Sequence, residues 1–207
     1  MLPQILIADD HSIVRHGLSI IIRDILPDAE LFFATNFDTL LQVLAEGKLT
    51  LAICDVNMPG CNNFHMVQIM KQIQPELKII IYSAYDENLY ANRFIKAGAD
   101  LYLQKEIENQ VLIKAIHSVL EQRPFAATAI HEEADNGMVN PISLLSDREF
   151  EVSNLLVKGL GTSEICHTLD LGKTTVSTYK RRIYEKMGIS TLPELVTIYR
   201  NYVNAII

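Results

Sequence analysis

Leu51-Ala-Ile-Cys-Asp-Val-Asn-Met-Pro-Gly60 is the stretch on which the fold turns. A short apolar run meets an acid, Asp55, and the chain then breaks at Met58-Pro59-Gly60. An apolar run of this length closed by a Pro-Gly turn reads as a strand buried on both faces, as in a parallel sheet. Asp55 then stands at the carboxyl end of that strand. Ligands of open α/β sheets bind in the crevice outside the carboxyl ends of the strands. The acid is therefore rigidly backed and open to chemistry.

Working outward, similar apolar runs recur at Ile5-Leu-Ile-Ala8, Glu30-Leu-Phe-Phe-Ala34, Lys78-Ile-Ile-Ile-Tyr82 and Leu101-Tyr-Leu103. Helical patterns near 12–26, 37–47, 62–73, 87–97 and 107–121 alternate with them. Such alternation predicts an α/β domain, a doubly wound five-stranded parallel sheet covered on both faces by right-handed crossovers. The domain spans residues 1–122. No G-x-G-x-x-G fingerprint occurs, which argues against dinucleotide binding.

The strand ends carry the chemistry. The first run ends in Asp9-Asp10, the third in Asp55 and the fourth in Ser83-Ala84, and Lys105 follows the fifth. Parallel strands bring these ends to one edge. Three carboxylates so close repel one another unless a cation is present, and an oxygen-only, shallow site suits Mg2+. Lys105 is expected to pair with Asp55, and the Ser83 hydroxyl to bond a phosphoryl oxygen carried by Asp55.

Ala8-Asp9-Asp10-His11, Asp55-Val-Asn-Met-Pro-Gly60, Tyr82-Ser-Ala-Tyr-Asp-Glu87 and Ala97-Gly-Ala-Asp-Leu-Tyr-Leu-Gln-Lys105 resemble the signatures of a response-regulator receiver domain, in order and spacing. The resemblance implies that Asp55 takes a phosphoryl group from a histidine kinase. It implies that Asp9, Asp10, Asp55 and the backbone carbonyl of Asn57 hold Mg2+, with Asp10 the direct ligand of the first pair. It makes Ser83 and Tyr102 a switch pair, the ring turning inward on phosphorylation. Asn57 and Tyr85 flank the acceptor and are expected to tune hydrolysis. His11 is expected either to sit near the acid pocket or, as the simpler reading, only to begin the first helix.

Residues 123–142 lose this rhythm and read as an interdomain linker, partly helical near 125–134 and closed by Asn140-Pro141. Net charge is −7 overall. Residues 1–123 hold 10 basic and 15 acidic groups, and residues 144–207 hold 8 and 7. Three cysteines without a C-x-x-C pair suggest free thiols in a reducing cytosol, and the protein is expected to be cytoplasmic. No stretch approaches the ~20 apolar residues of a membrane span. The histidines show no H-E-x-x-H or comparable ligand set.

A second domain, all-α, occupies residues 143–207. Ser146 and Glu149 form a capping box before a helix with Val152, Leu155 and Leu156 inward. A short helix over 162–169, with Ile165, Cys166 and Leu169 inward, a turn at Leu171-Gly-Lys-Thr174, and a helix to Met187 make a helix-turn-helix. A last helix spans about 191–204. From Leu171 to Met187, Lys173, Lys180, Arg181, Arg182 and Lys186 oppose only Glu185. Val176, Tyr179, Ile183 and Met187 form the apolar face, which leaves Ser/Thr/Arg faces for a DNA groove. Leu145-Ser-Asp-Arg-Glu-Phe-Glu-Val152, Thr174-Thr-Val176 and Lys186-Met-Gly-Ile189 resemble the LuxR-type helix-turn-helix. Joined to a receiver, this is similar to the NarL/FixJ class of two-component response regulators.

That resemblance implies a homodimer on a pseudo-palindromic operator. Thr174, Ser177, Thr178 and Arg181 would face DNA, and Lys173, Lys180 and Arg182 would meet phosphates. Phosphorylation of Asp55 would control DNA binding and transcription, with only self-phosphotransfer and self-dephosphorylation as chemistry. Two rivals stand beside this reading: an Mg-dependent aspartyl phosphohydrolase, and a receiver signalling through protein–protein contacts alone.

Overall fold

The structure, a computed structural model, describes residues 2–61, 63–125 and 140–202. It divides into two compact units, 1–134 and 135–207. The helix anticipated near 125–134 lies almost wholly outside the described residues.

In the first unit, β1 (Gln4–Ala8), β2 (Glu30–Ala34), β3 (Leu51–Cys54), β4 (Lys78–Ser83) and β5 (Leu101–Gln104) form one sheet. Their order is β2-β1-β3-β4-β5, and every neighbouring pair is parallel. The intervening helices are α1 (Ser12–Ile25), α2 (Phe37–Glu46), α3 (Asn63–Ile73), α4 (Glu87–Ala97) and α5 (Asn109–Leu120). The order steps outward from β1 in one direction and then from β3 in the other. Those steps create the reversal point at which doubly wound sheets bind ligands.

All four residues of β3 are buried, as its uninterrupted apolar run requires. Ile5, Ile7, Leu51, Ile53, Ile80, Leu101 and Leu103 pack with Leu18 and Ile22 of α1 and with Leu112, Ala115 and Ile116 of α5. Ile107 lies in the turn before α5 rather than in the helix, and still packs on this core. Gly60 ends the loop after β3 at φ +78°, and a Cβ there would meet Phe37 Cβ at 3.4 Å. The loop is held from the same side by the Phe37 N–H, which donates to the Pro59 carbonyl at 2.9 Å.

The second unit begins with a 3-10 turn (Pro141–Leu144), followed by α6 (Asp147–Val157), α7 (Thr162–Leu169), α8 (Lys173–Met187) and α9 (Leu192–Tyr202). Ser146 and Glu149 do form the capping box at the start of α6. The inward face of α6 is Phe150, Val152, Ser153 and Leu156, and Leu155 is only half-buried. On α7, Ile165 alone is fully buried, with Cys166 and Leu169 half-buried, because a helix this short presents one turn to the core. Leu195 and Tyr199 of α9 complete the core, and Tyr199 shares a buried hydrogen bond with Ser153.

Candidate functional site

Each chemical side chain of the first unit sits just past a strand that the ladder still grips. The N–H groups of Asp9, Asp55 and Lys105 donate to Ala34, Ala8 and Ser83 carbonyls at 3.1, 2.7 and 2.8 Å. Their Cα positions are therefore fixed by the sheet, and only the side chains adapt.

Lys105 ties the corner together. Its Nζ lies 2.6 Å from Asp9 Oδ2 and 3.0 Å from Asp55 Oδ2. The expectation of a partnership with Asp55 needs widening, since Asp9 is the nearer acid. Burial alone would lower the Lys105 ammonium, but the hydrogen bonds and charges of Asp9 and Asp55 outweigh it and raise it above an ordinary lysine. Asp55 Oδ1 accepts the Val56 N–H at 2.8 Å. Asp9, Asp55 and Ser83 are all buried, whereas Asp10 is exposed.

His11 occupies both of the places that its position in the sequence allowed. It does stand at the N-cap position of α1, without capping through its side chain. Its Nδ1 also lies 3.1 Å from Asp9 Oδ1 and 2.8 Å from Asp10 Oδ1. Its place directly after the acid pair was the signal available in the sequence.

Asp9, Asp10, His11 and Asp55 each offer one ligand atom, all within 4.8 Å of one another. A predominantly carboxylate donor set with two exposed members, Asp10 and His11, suits a hard divalent cation that keeps part of its water. Asn57 is exposed at the rim, and its side-chain oxygen accepts the Tyr85 hydroxyl at 3.0 Å. That bond joins the loops after β3 and β4. Two thiols, Cys54 and Cys61, lie near Asp55. Burial pushes Cys61 up to about 12 and raises Cys54 as well, which keeps both protonated.

Tyr102 is buried, its hydroxyl donating to the Tyr85 carbonyl at 2.8 Å and its ring stacked on Phe94. Burial drives its phenol well above the ordinary value, against a smaller opposing effect of the Ser83 hydroxyl. Ser83 Oγ in turn accepts the Tyr85 N–H at 3.2 Å. The ring is thus already inward in this structure.

In the second unit, α8 presents Val176, Ile183 and Met187 to the core, and Gly188, at φ +66°, ends it in the left-handed region. Lys173, Thr174, Ser177, Arg181 and Arg182 are exposed, and Thr178 and Lys180 are half-exposed. The cations are not equivalent. Lys186 Nζ lies 2.6 Å from Glu149 Oε2, which is buried on α6, so this charge is spent within the unit. Arg181 reaches Glu185 at 2.9 Å, and Lys180 lies over the Tyr184 ring. Among the described residues, Lys173 and Arg182 have no ion-pair partner. Thr178 Oγ1 donates back to the Thr174 carbonyl at 2.9 Å.

A doubly wound domain with an acid–lysine corner, followed by a helix-turn-helix with a basic second helix, defines a class of signal-controlled DNA-binding proteins. Comparison with known proteins gives the family. The profile of the response regulator receiver domain matches residues 5–117, and that of bacterial regulatory proteins of the luxR family matches residues 143–199. The oxygen regulatory protein NreC of Staphylococcus haemolyticus (strain JCSC1435) is 30% identical over 206 residues, covering 93% of this chain and 94% of the relative. The fimbriae Z protein of Escherichia coli (strain K12) is 27% identical over 202 residues, covering 96% of each. Full-length FixJ from B. japonicum aligns with a TM-score of 0.52 at 25% identity, covering 97% of both chains. RcsB from Salmonella enterica serovar Typhimurium, bound to promoter rprA with phosphomimetic BeF3-, has the same fold, with a TM-score of 0.76 at 21% identity over 100% of both chains. The chain belongs to the two-component response regulators of the NarL/FixJ class, with a receiver domain and a luxR-family DNA-binding domain. Among the described residues, no helix is long and apolar enough to cross a membrane.

Proposed function

We propose that Asp55 is the phosphoacceptor through which a sensor histidine kinase controls DNA binding by α8. One observation carries this reading. Lys105 Nζ lies within 3.0 Å of carboxylate oxygens from two different strand ends, Asp9 and Asp55. A cation so placed aims the acceptor carboxylate, and can follow a phosphoryl oxygen once Asp55 carries one. In the transfer, an Asp55 carboxylate oxygen forms the bond to phosphorus, the bond to the donor imidazole breaks, and the imidazole leaves with that electron pair. Water attack later returns Asp55, so the only chemistry is on the protein itself.

Asp10 and Asp55, with Asp9 through water and the Asn57 carbonyl, would hold Mg2+. Such an ion supplies charge neutralisation among these carboxylates and the phosphoryl oxygens. Ser83 and Tyr102 form the switch, a reading supported by the buried Tyr102 ring and by Tyr85, which bonds both residues. Asn57 and Tyr85, bonded to each other at 3.0 Å beside the acceptor loop, would tune hydrolysis. Residues 1–122 form the receiver, 123–142 the linker and 143–207 the DNA-binding domain. The partner is a pseudo-palindromic operator bound by a homodimer, in the cytoplasm. Lys173, Thr174, Ser177 and Arg182 meet DNA directly. Arg181 joins them by leaving Glu185, and Thr178 and Lys180 line the same groove.

Incubation with acetyl phosphate and Mg2+ followed by peptide mass analysis tests the acceptor. An acyl phosphate on the peptide containing Asp55, absent from Asp55→Asn, is expected. Equal labelling of both proteins would overturn the assignment.

A further inference from the structure

The corner between β1 and α1 has a gap that the sheet does not fill. Along the β1–β2 edge the parallel ladder runs regularly: the Glu30 N–H donates to the Pro3 carbonyl, and the Asp9 N–H donates to the Ala34 carbonyl. The alternation of a parallel ladder makes the next rung a bond from the Asn36 N–H to the Asp9 carbonyl. That rung is missing. The Asn36 N–H turns instead to Thr39 Oγ1 at 3.3 Å, as part of the capping box that starts α2. Arg15 takes the vacant place, its Nη1 donating to the Asp9 carbonyl at 2.7 Å. Arg15 is half-buried in the first turn of α1, where its own N–H bonds the His11 carbonyl at 3.2 Å.

With that bond, every polar atom of Asp9 is engaged. Its N–H bonds Ala34, Oδ1 accepts the His11 N–H at 2.8 Å, Oδ2 receives Lys105 at 2.6 Å, and the carbonyl receives Arg15. We infer that Arg15 is a positioning residue for the acid pocket, its guanidinium replacing the lost strand rung and so fixing where Asp9 and the adjoining Asp10 stand. This inference rests on the reading of that pocket as the Mg2+-assisted phosphoacceptor site. The bond is charge-assisted and closes the tight turn from β1 into α1, so its loss frees the peptide that carries both acids. Supporting contacts of this kind typically change metal affinity about 10-fold or more when removed.

The test is titration of the full-length protein with Mg2+ alone, followed by the amide chemical shifts of Asp9, Asp10 and Asp55. Arg15→Ala is expected to raise the Mg2+ dissociation constant roughly tenfold. Arg15→Met, which keeps the side-chain stem but offers no donor, is expected to do the same and serves if the alanine variant fails to fold. Arg15→Lys is expected to restore most of the affinity, since a single N–H makes the bond. Wild-type affinity in the alanine or methionine variant, or a lysine variant as weak as they are, overturns the role of Arg15. Absence of Mg2+ binding by the wild type overturns the phosphoacceptor reading itself, which keeps the two failures apart.

Discussion

Glu149→Ala should destabilise the DNA-binding domain without touching its DNA-facing surface. The Glu149 carboxylate is buried on α6, accepts the Ser146 N–H at 2.8 Å, and receives Lys186 from α8 at 2.6 Å. Losing its half of the capping box costs about 1 kcal/mol. Losing the ion pair costs about another 1 kcal/mol, because Lys186, 41% exposed, can return to water. Each kcal/mol moves the melting temperature of a domain this small by about 4–8 °C, so the transition should fall by roughly 8–16 °C. Burial opposes ionisation of Glu149, but Lys186 and Ser146 outweigh it and hold its carboxyl below the ordinary 4.5. A depressed carboxyl contributes fully above its unfolded value and loses that contribution as pH falls through its folded value. The gap between wild type and variant should therefore be full above pH 4.5 and close below it. Calorimetry of the full-length chain at several pH values reads this directly. A companion variant, Lys186→Met, should lower the same transition yet leave the salt dependence of DNA binding unchanged, whereas Arg182→Ala should reduce the log–log slope by about 0.9. A Glu149→Ala change under about 0.5 kcal/mol would refute the reasoning. So would a Lys186→Met protein whose salt slope falls as that of Arg182→Ala does.

Two further outcomes follow from the same geometry. The Tyr184 hydroxyl is occluded and has no hydrogen-bond partner among the described residues, so Tyr184→Phe should leave the melting temperature unchanged or raise it. A clear fall on thermal denaturation would mean that the hydroxyl is satisfied after all. Lys105 is raised above the ordinary 10.5, so its contribution is complete below that value and lost as pH rises through the folded one. Alkaline denaturation should show wild type losing stability above about pH 10.5 relative to Lys105→Met, and parallel curves would remove the proposed coupling to Asp9 and Asp55.

The strand ends were legible because a parallel sheet turns a one-dimensional order of apolar runs into a single edge. Asp9, Asp55 and Lys105 could be grouped from sequence for that reason alone. Side-chain reach was not legible. Lys105 follows β5, three places along the sheet from β1, yet it bonds Asp9 more closely than Asp55. Arg15 carried no sequence signal, because its partner is a backbone carbonyl left free by a capping box on another loop. In the helix-turn-helix, the count of cations from Leu171 to Met187 could not show that a buried acid from α6 claims Lys186. The capping box itself was readable, since Ser146 and Glu149 are local in sequence. The inward position of Tyr102 was not readable, because it rests on burial against neighbouring elements.

If Asp55 is the phosphoacceptor, chemistry there sets DNA affinity through α8. The direct measurement is operator affinity at fixed salt, with and without acetyl phosphate and Mg2+, for wild type and Asp55→Asn. The phosphodonor should change the affinity of wild type and leave that of Asp55→Asn unaltered. An equal change in both proteins, or none in a wild type shown to be phosphorylated, would contradict it.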